Sequence, residues 1–160
     1  MATQPTSGTF TSRHVAVSAV DGTGTPLSIA MGPGPGDITL DNFEEGNKEI
    51  AKVLNRGTFL ELVYTDDKEI SGSVTVHQVG DLTGHSVLDA VNKTGDFAAG
   101  VTKDPGGEVW TMDLIVTMVR GAQTNIFTLS NCRLKAGWKE GKEGNAFTIS
   151  FVAYKGITVT

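Results

Sequence analysis

One cysteine, Cys132, stands among 160 residues, so no intrachain disulfide can form. Stability must come from apolar packing, and a chain of this length buries roughly 70% of its extended surface without disulfides or metal. The lone thiol reads as a small buried apolar residue. A catalytic thiolate would need an electropositive site with a histidine nearby, and no local motif offers one. Long apolar runs are also missing. None approaches the ~18 residues of a membrane helix, and residues 1–10 lack the charged-then-apolar layout of a signal peptide. These absences predict a soluble protein without a membrane partner, made in a reducing cytoplasm. Bases are scarce: thirteen Lys and Arg face eighteen Asp and Glu, for a net charge of -5. That balance disfavours a protein that grips phosphates. The three histidines, His14, His77 and His85, show no metal-ligand spacing. No GxSxG, HExxH, CxxC or EF-hand pattern occurs. The Gly-Pro run at 32–36 lacks the Lys-Ser/Thr ending of a phosphate loop, and its prolines remove amide donors. It reads as a structural turn. With no nucleophile, base and orienter assembled locally, the expectation is a protein that is not an enzyme and has no cofactor and no metal site.

Glycine is abundant, at 20 residues, and it separates short apolar-polar alternations. That is the punctuation of an antiparallel β protein. Residues 1–12 read as a flexible arm and 13–160 as a single domain. Strands are predicted over 13–20 and 27–31. The run at 32–36 must break the second strand, since proline removes ladder donors, and 37–40 suits a short strand. Residues 41–48 are charged and read as exposed, whereas 48–54 fit a helical turn or a strand. Segments 58–64 and 69–79 read as two strands of one hairpin with an acidic tip at 65–68. Residues 81–93 read as the helix, with Leu82, Val87, Leu88 and Val91 on one side. Ser86 and Asp89 resemble a capping box, and Thr94-Gly95 gives a stop. After a turn at Asp104-Pro105-Gly106-Gly107, residues 108–120 alternate so that both faces are partly apolar, which suggests cover on both sides. Residues 126–135 return, and 145–160 close the sheet. The fold class is therefore mostly β: two packed antiparallel sheets, a sandwich or small barrel, with one flanking α-helix.

Charge is unevenly spread. Residues 37–69 hold nine acids against four bases, whereas 120–142 hold five bases, Arg120, Arg133, Lys135, Lys139 and Lys142, against Glu140. A solvated surface explains this blandly. The sharper reading sets acidic and basic faces of neighbouring copies head to tail. Unlike patches on one subunit make heterologous contacts, which close into rings or run into filaments. Candidate inter-subunit residues are Asp41, Glu44, Glu45 and Lys48 on the acidic side, with Arg133, Lys135 and Lys139 on the basic side. A calcium site in the acidic hairpin is a third reading, though no ligand spacing is recognisable.

Several strings carry a resemblance. They are Arg56-Gly57-Thr58-Phe59-Leu60-Glu61-Leu62, Ser71-Gly72-Ser73-Val74-Thr75-Val76 and the helical Val87-Leu88-Asp89-Ala90-Val91. The paired segments Trp110-Thr111-Met112-Asp113-Leu114 and Leu129-Ser130-Asn131-Cys132-Arg133-Leu134 follow, and then 138–151. In this order, from about Val15 to Val159, the chain resembles the major tail tube proteins of long-tailed, siphovirus-type bacteriophages. The resemblance implies a homo-hexameric ring whose inner sheets join into one β-barrel around a channel, with rings stacked into a tube. It implies tape-measure, tail-tip and tail-terminator proteins as partners and passage of viral double-stranded DNA without specific binding. It also implies assembly in the host bacterial cytoplasm and residence in the virion tail. The arm 1–12, a loop within 32–55 and residues 156–160 would bridge adjacent rings.

Duplex DNA carries about one charge per 1.7 Å, so a wall of acids or hydroxyls lets it pass. Glu61, Ser71, Ser73 and Thr75 are the candidate lumen-facing residues. Two other readings remain: a tube of a contractile tail or secretion-type injection system, and a monomeric β-sandwich that binds carbohydrate or another ligand on a face of exposed aromatics.

Overall fold

A computed structural model describes residues 15–31, 33–41, 48–67, 69–77, 86–142 and 144–160. The chain is mostly β, with two antiparallel sheets, and α1 is the single α-helix among the described residues. Strands β1 (Val15–Val20), β2 (Ser28–Met31), β3 (Pro33–Asp41), β4 (Lys48–Asn55), β5 (Thr58–Asp67) and β6 (Ile70–His77) precede helix α1 (Val87–Asn92). Strands β7 (Met112–Arg120), β8 (Gln123–Lys139), β9 (Ala146–Ala153) and β10 (Ile157–Val159) follow it. Eight strands form one sheet in the order β2-β1-β7-β8-β9-β6-β3, with β10 also on β8, and β4 and β5 form a separate pair.

The long strand β8 makes one sheet serve as two layers. Its first part pairs with β7 and β10, and its last part, from Cys132 onward, pairs with β9. Between these parts β8 carries one extra residue, where the β7 register shifts and Asn131 turns left-handed at φ 59. Such a bulge bends its strand. The Asn131 amide donates to Asp113 at 3.0 Å, and its side-chain oxygen accepts from Thr111 at 2.7 Å, which holds the bend. One core then draws on both halves. Val17, Ala19, Met31, Met112, Leu114, Val116 and Leu129 come from the first half; Ile70, Val74, Val76, Leu134, Phe147, Ile149 and Phe151 come from the second. Burying each large aliphatic side chain contributes about 1.5–3 kcal/mol.

Helix α1 covers one side of this core through Val87, Leu88 and Val91. Ser86 and Asp89 form the expected capping box. Leu82, also read as helical, lies outside the described residues. Lys93, at φ 56, takes the left-handed cap position one residue before the expected Thr94-Gly95 stop. Asp21 is fully buried in the turn after β1. Its carboxylate accepts from Leu27 N at 2.8 Å, Thr23 Oγ1 at 2.9 Å and Val101 N at 3.2 Å, tying the β1–β2 turn to the loop before β7.

Three sequence expectations are corrected. The Gly-Pro run ends β2 at Met31 as expected, but it is not a turn outside the sheet, since β3 begins at Pro33, pairs with β6 and shifts register between Pro33 and Ile38. Proline is tolerated there because β3 is an edge strand, where one side of the ladder is unused. Residues 58–64 and 69–79 do not form a hairpin with each other: β5 pairs with β4, and β6 lies between β3 and β9. The chain reverses instead at Arg56-Gly57, at φ 48 and φ 82, the two left-handed residues of a tight hairpin turn. Residues 48–54 are therefore strand and not helix. Finally, the second face of β7 is only partly covered among the described residues, with Asp113, Ile115 and Thr117 half-buried and Val119 exposed.

Candidate assembly interface

The C-terminal part of β8, with β9, β6 and β3, makes a four-stranded segment with two different faces. Ile70, Val74 and Val76 of β6 point into the core, and so do Phe147, Ile149 and Phe151 of β9 and Leu134 of β8. Strand alternation puts the intervening residues on the outer face. Register places them in rows: Asp41 beside Ser71, Val152 and Arg133, then Thr39 beside Ser73, Ser150 and Lys135. Thr75, Thr148 and Gly137 continue the pattern, followed by His77, Ala146 and Lys139. Much of this face lines a shallow open pocket of about 410 Å³. The hydroxyls of Thr39 and Ser73 lie 3.1 Å apart across the β3–β6 pair.

Strand spacing, not sequence proximity, gathers the candidates. Ser71, Ser73 and Thr75 share the outer face with Asp41, Arg133, Lys135 and Lys139. Glu61 does not join them; it sits on β5 in the separate pair, opposite Val53. Lys48 opens β4 opposite Asp67, away from the row that holds Asp41. Glu44 and Glu45, with the arm 1–12, lie outside the described residues. The hydroxyls of Thr39, Thr148 and Ser150 were not among the candidates, because only register reveals that they share the face.

Both ends of this four-stranded segment are open among the described residues. The outer edge of β3 has no ladder partner among the described residues. The edge of β8 that β7 occupies as far as Cys132 has no ladder partner from Arg133 to Gly137 among the described residues. Beside that second edge runs a mixed groove lined by Val91, Glu108, Trp110, Arg133, Leu134, Lys135 and Ala136, among others. Trp110 is anchored there by its indole N–H donating to Ala90 O at 2.8 Å, with Lys93 Nζ 5.3 Å from the ring centre.

The β4–β5 pair is the other notable surface. Ile50 faces Tyr64, Lys52 faces Leu62 and Leu54 faces Phe59, so five large apolar side chains share one face of the hairpin. All five are about half exposed or more. An isolated two-stranded hairpin is marginal in water, and an apolar patch of this kind marks an interaction site.

Among the described residues no group of three or more His, Cys, Asp or Glu is placed to hold a metal ion. His77 is exposed at the end of β6, and His14 and His85 lie outside the described residues. Cys132 is buried at the bend of β8, where desolvation pushes its thiol up to about 12. Exposed aromatics are spread over separate elements, with Phe59 and Tyr64 on the hairpin, Trp138 on β8 and Tyr154 after β9. Among the described residues they do not share one face.

No protein-family model and no curated protein sequence matches the chain. Solved structures do. A chain in the cryo-EM structure of the anti-feeding prophage cap, the tube-terminating cap, superposes with a TM-score of 0.59 at 10% identity, covering 100% of this chain and 94% of that one. A chain in the six-fold symmetrised anti-feeding prophage baseplate aligns over 100% of this chain and 97% of its own, at 12% identity and a TM-score of 0.49. The first of these establishes a shared fold.

Proposed function

We propose that this protein is a structural, non-enzymatic subunit of a phage-type tail tube, in which six copies join edge to edge as a ring and the rings stack around a channel for double-stranded DNA. The observation that carries the reading is the pair of open edges at opposite ends of the four-stranded segment. Each is an unpaired row of backbone donors and acceptors, which a solitary soluble protein must hide. In the order β3-β6-β9-β8 successive strands alternate in direction, so β3 of one copy meets β8 of the next antiparallel. The join is head to tail, and a head-to-tail join closes into a ring when the rotation between copies closes. Closure of the joined sheet removes every edge. The hydroxyl face of Ser71, Ser73 and Thr75 would then line the channel, and the β4–β5 hairpin would bury its apolar face against the adjacent ring. Tape-measure, tail-tip and tail-terminator proteins are the partners expected at the ends. Assembly would take place in the host cytoplasm, and the product would reside in the virion tail.

A tube of a contractile tail or injection system is the second reading, supported by the fold shared with the tube-terminating cap. Negative-stain microscopy with light scattering across a concentration series tests both. Hollow rings or tubes of six-fold mass are expected, whereas a monomer that never assembles, even when seeded with tail-tip complexes, would overturn the proposal. Co-purification of a sheath around such tubes would favour the contractile setting.

A further inference from the structure

We infer that the seam between neighbouring copies is charge-paired, with Asp41 on β3 of one copy set against Arg133 and Lys135 on β8 of the next. The inference rests on the edge-to-edge ring proposed above and adds the side chains that set its register. Asp41 ends the acidic edge of the four-stranded segment, and Arg133 and Lys135 line the opposite edge. All three are exposed. All three also lie on the outer face, in rows that cross β6 and β9. Within one copy they are separated by three interstrand spacings, roughly 14 Å at about 4.8 Å each. No ion pair joins them in the protomer. Joining the edges of two copies removes that separation and brings unlike charges to adjacent strands.

Alternation across the seam agrees on both faces. Next to Asp41 and Thr39 on β3, the half-buried Leu40 and Ile38 point toward the core. Next to Arg133 and Lys135 on β8, alternation turns Leu134, which is buried in the core, and Ala136 to the opposite side of the strand, at the edge of a groove that Arg133 and Lys135 also reach. An antiparallel join that sets Asp41 against Arg133 also sets Leu40 against Leu134 and Ile38 against Ala136. Polar meets polar outside, and apolar meets apolar inside. Closed sheets are staggered, and a two-residue stagger along β8 exchanges Arg133 for Lys135 while keeping every side chain on its face. A one-residue slip would put Asp41 among apolar side chains, so the charges resist it. Pairing also neutralises one of the two bases nearest each seam, and Ser71, Ser73, Thr75, Thr148 and Ser150 form the wall between seams. A channel wall of hydroxyls attracts phosphates far less than one of free guanidinium and ammonium groups.

Charge reversal tests the seam. Asp41→Lys, and separately the pair Arg133→Asp with Lys135→Asp, should each reduce assembly at least tenfold at low salt, with unchanged circular dichroism and melting temperature. The three reversals together should restore it. Cysteine pairs give a second readout: Asp41→Cys with Arg133→Cys, or Asp41→Cys with Lys135→Cys. Under mild oxidation one of these pairs should yield a ladder of covalent species reaching the full ring, with buried Cys132 left out. Rings that form normally in the reversal variants and give no ladder would overturn the seam and leave the tube reading intact. A ladder that stops at dimers would mean a two-fold contact and would overturn the seam and the head-to-tail ring together. A wild-type protein that never assembles would overturn both.

Discussion

The eight-stranded sheet and the β4–β5 hairpin treat the same kinds of residue in opposite ways. In the sheet, Leu114, Leu129 and Ile149 are fully buried between two halves that β8 folds together. In the hairpin, Phe59, Leu60 and Leu62 are 55–60% exposed, and the two strands pair only with each other. Both segments have strand composition and alternation. What differs is whether the chain supplies a second layer. The sheet finds one within the protomer, whereas the hairpin has none among the described residues. Stability and assembly should therefore respond to different substitutions.

The sharpest break in this contrast is a core truncation. Leu114→Ala or Ile149→Ala should destabilise the isolated protein by about 2–5 kcal/mol, read as a lower denaturant midpoint, whereas Leu62→Ala should change it by less than about 0.5 kcal/mol. The order should invert for tube length, with Leu62→Asp suppressing stacking while leaving rings and melting temperature intact. Equal destabilisation by the two kinds of change would mean that the hairpin is already packed in the protomer.

A smaller loss is expected at Gly72, where β3 and β6 approach closely. A methyl group there would collide with the Thr39 carbonyl and the Phe151 ring, so Gly72→Ala should cost about 1–3 kcal/mol by overpacking. Gly57, in the hairpin turn, has open space around it, although its φ of 82 still resists a side chain. Gly57→Ala should disturb the hairpin and leave the core transition unchanged. Calorimetry on both variants distinguishes these effects.

The mildest effects come from titration and reactivity. Hydrogen bonds from the Ser86 and Thr94 hydroxyls hold the Asp89 carboxyl below its ordinary value. A depressed carboxylate pKa adds stability above the unfolded value, near 3.9, and that stability is lost as pH falls through the folded value. Acid below about pH 4 should therefore loosen α1, and Ser86→Ala should reduce the effect, as read by helical circular dichroism. Cys132, with its thiol pushed up to about 12, should resist alkylation at pH 8 in the native protein and react only on unfolding.

Much of the fold was legible because alternation and capping are local. The β1, β7 and β9 faces, the Ser86–Asp89 box and the turn at Asp104-Pro105-Gly106-Gly107 all follow from neighbours within a few residues. Strand pairing was less accessible. Residues 58–64 and 69–79 look like a hairpin because they are adjacent, and only the left-handed Arg56-Gly57 turn signals that β5 folds back on β4 instead. The outer face was partly legible: Ser71, Ser73 and Thr75 stand at alternate positions, whereas Glu61, read with them, belongs to another sheet.

The sequence alone determined the mostly β class, the helix and its cap, and the buried thiol, because each depends on residue type and short-range period. It also carried the separation of acids from bases along the chain. The tertiary structure decided that Asp41 and Arg133 stand on opposite open edges of one four-stranded segment. It also decided that the hairpin's apolar face has no cover from its own strands. Both are matters of which distant strands pair. Pairing is set by competition among many alternating segments for a single core, and no local pattern along the chain records its outcome.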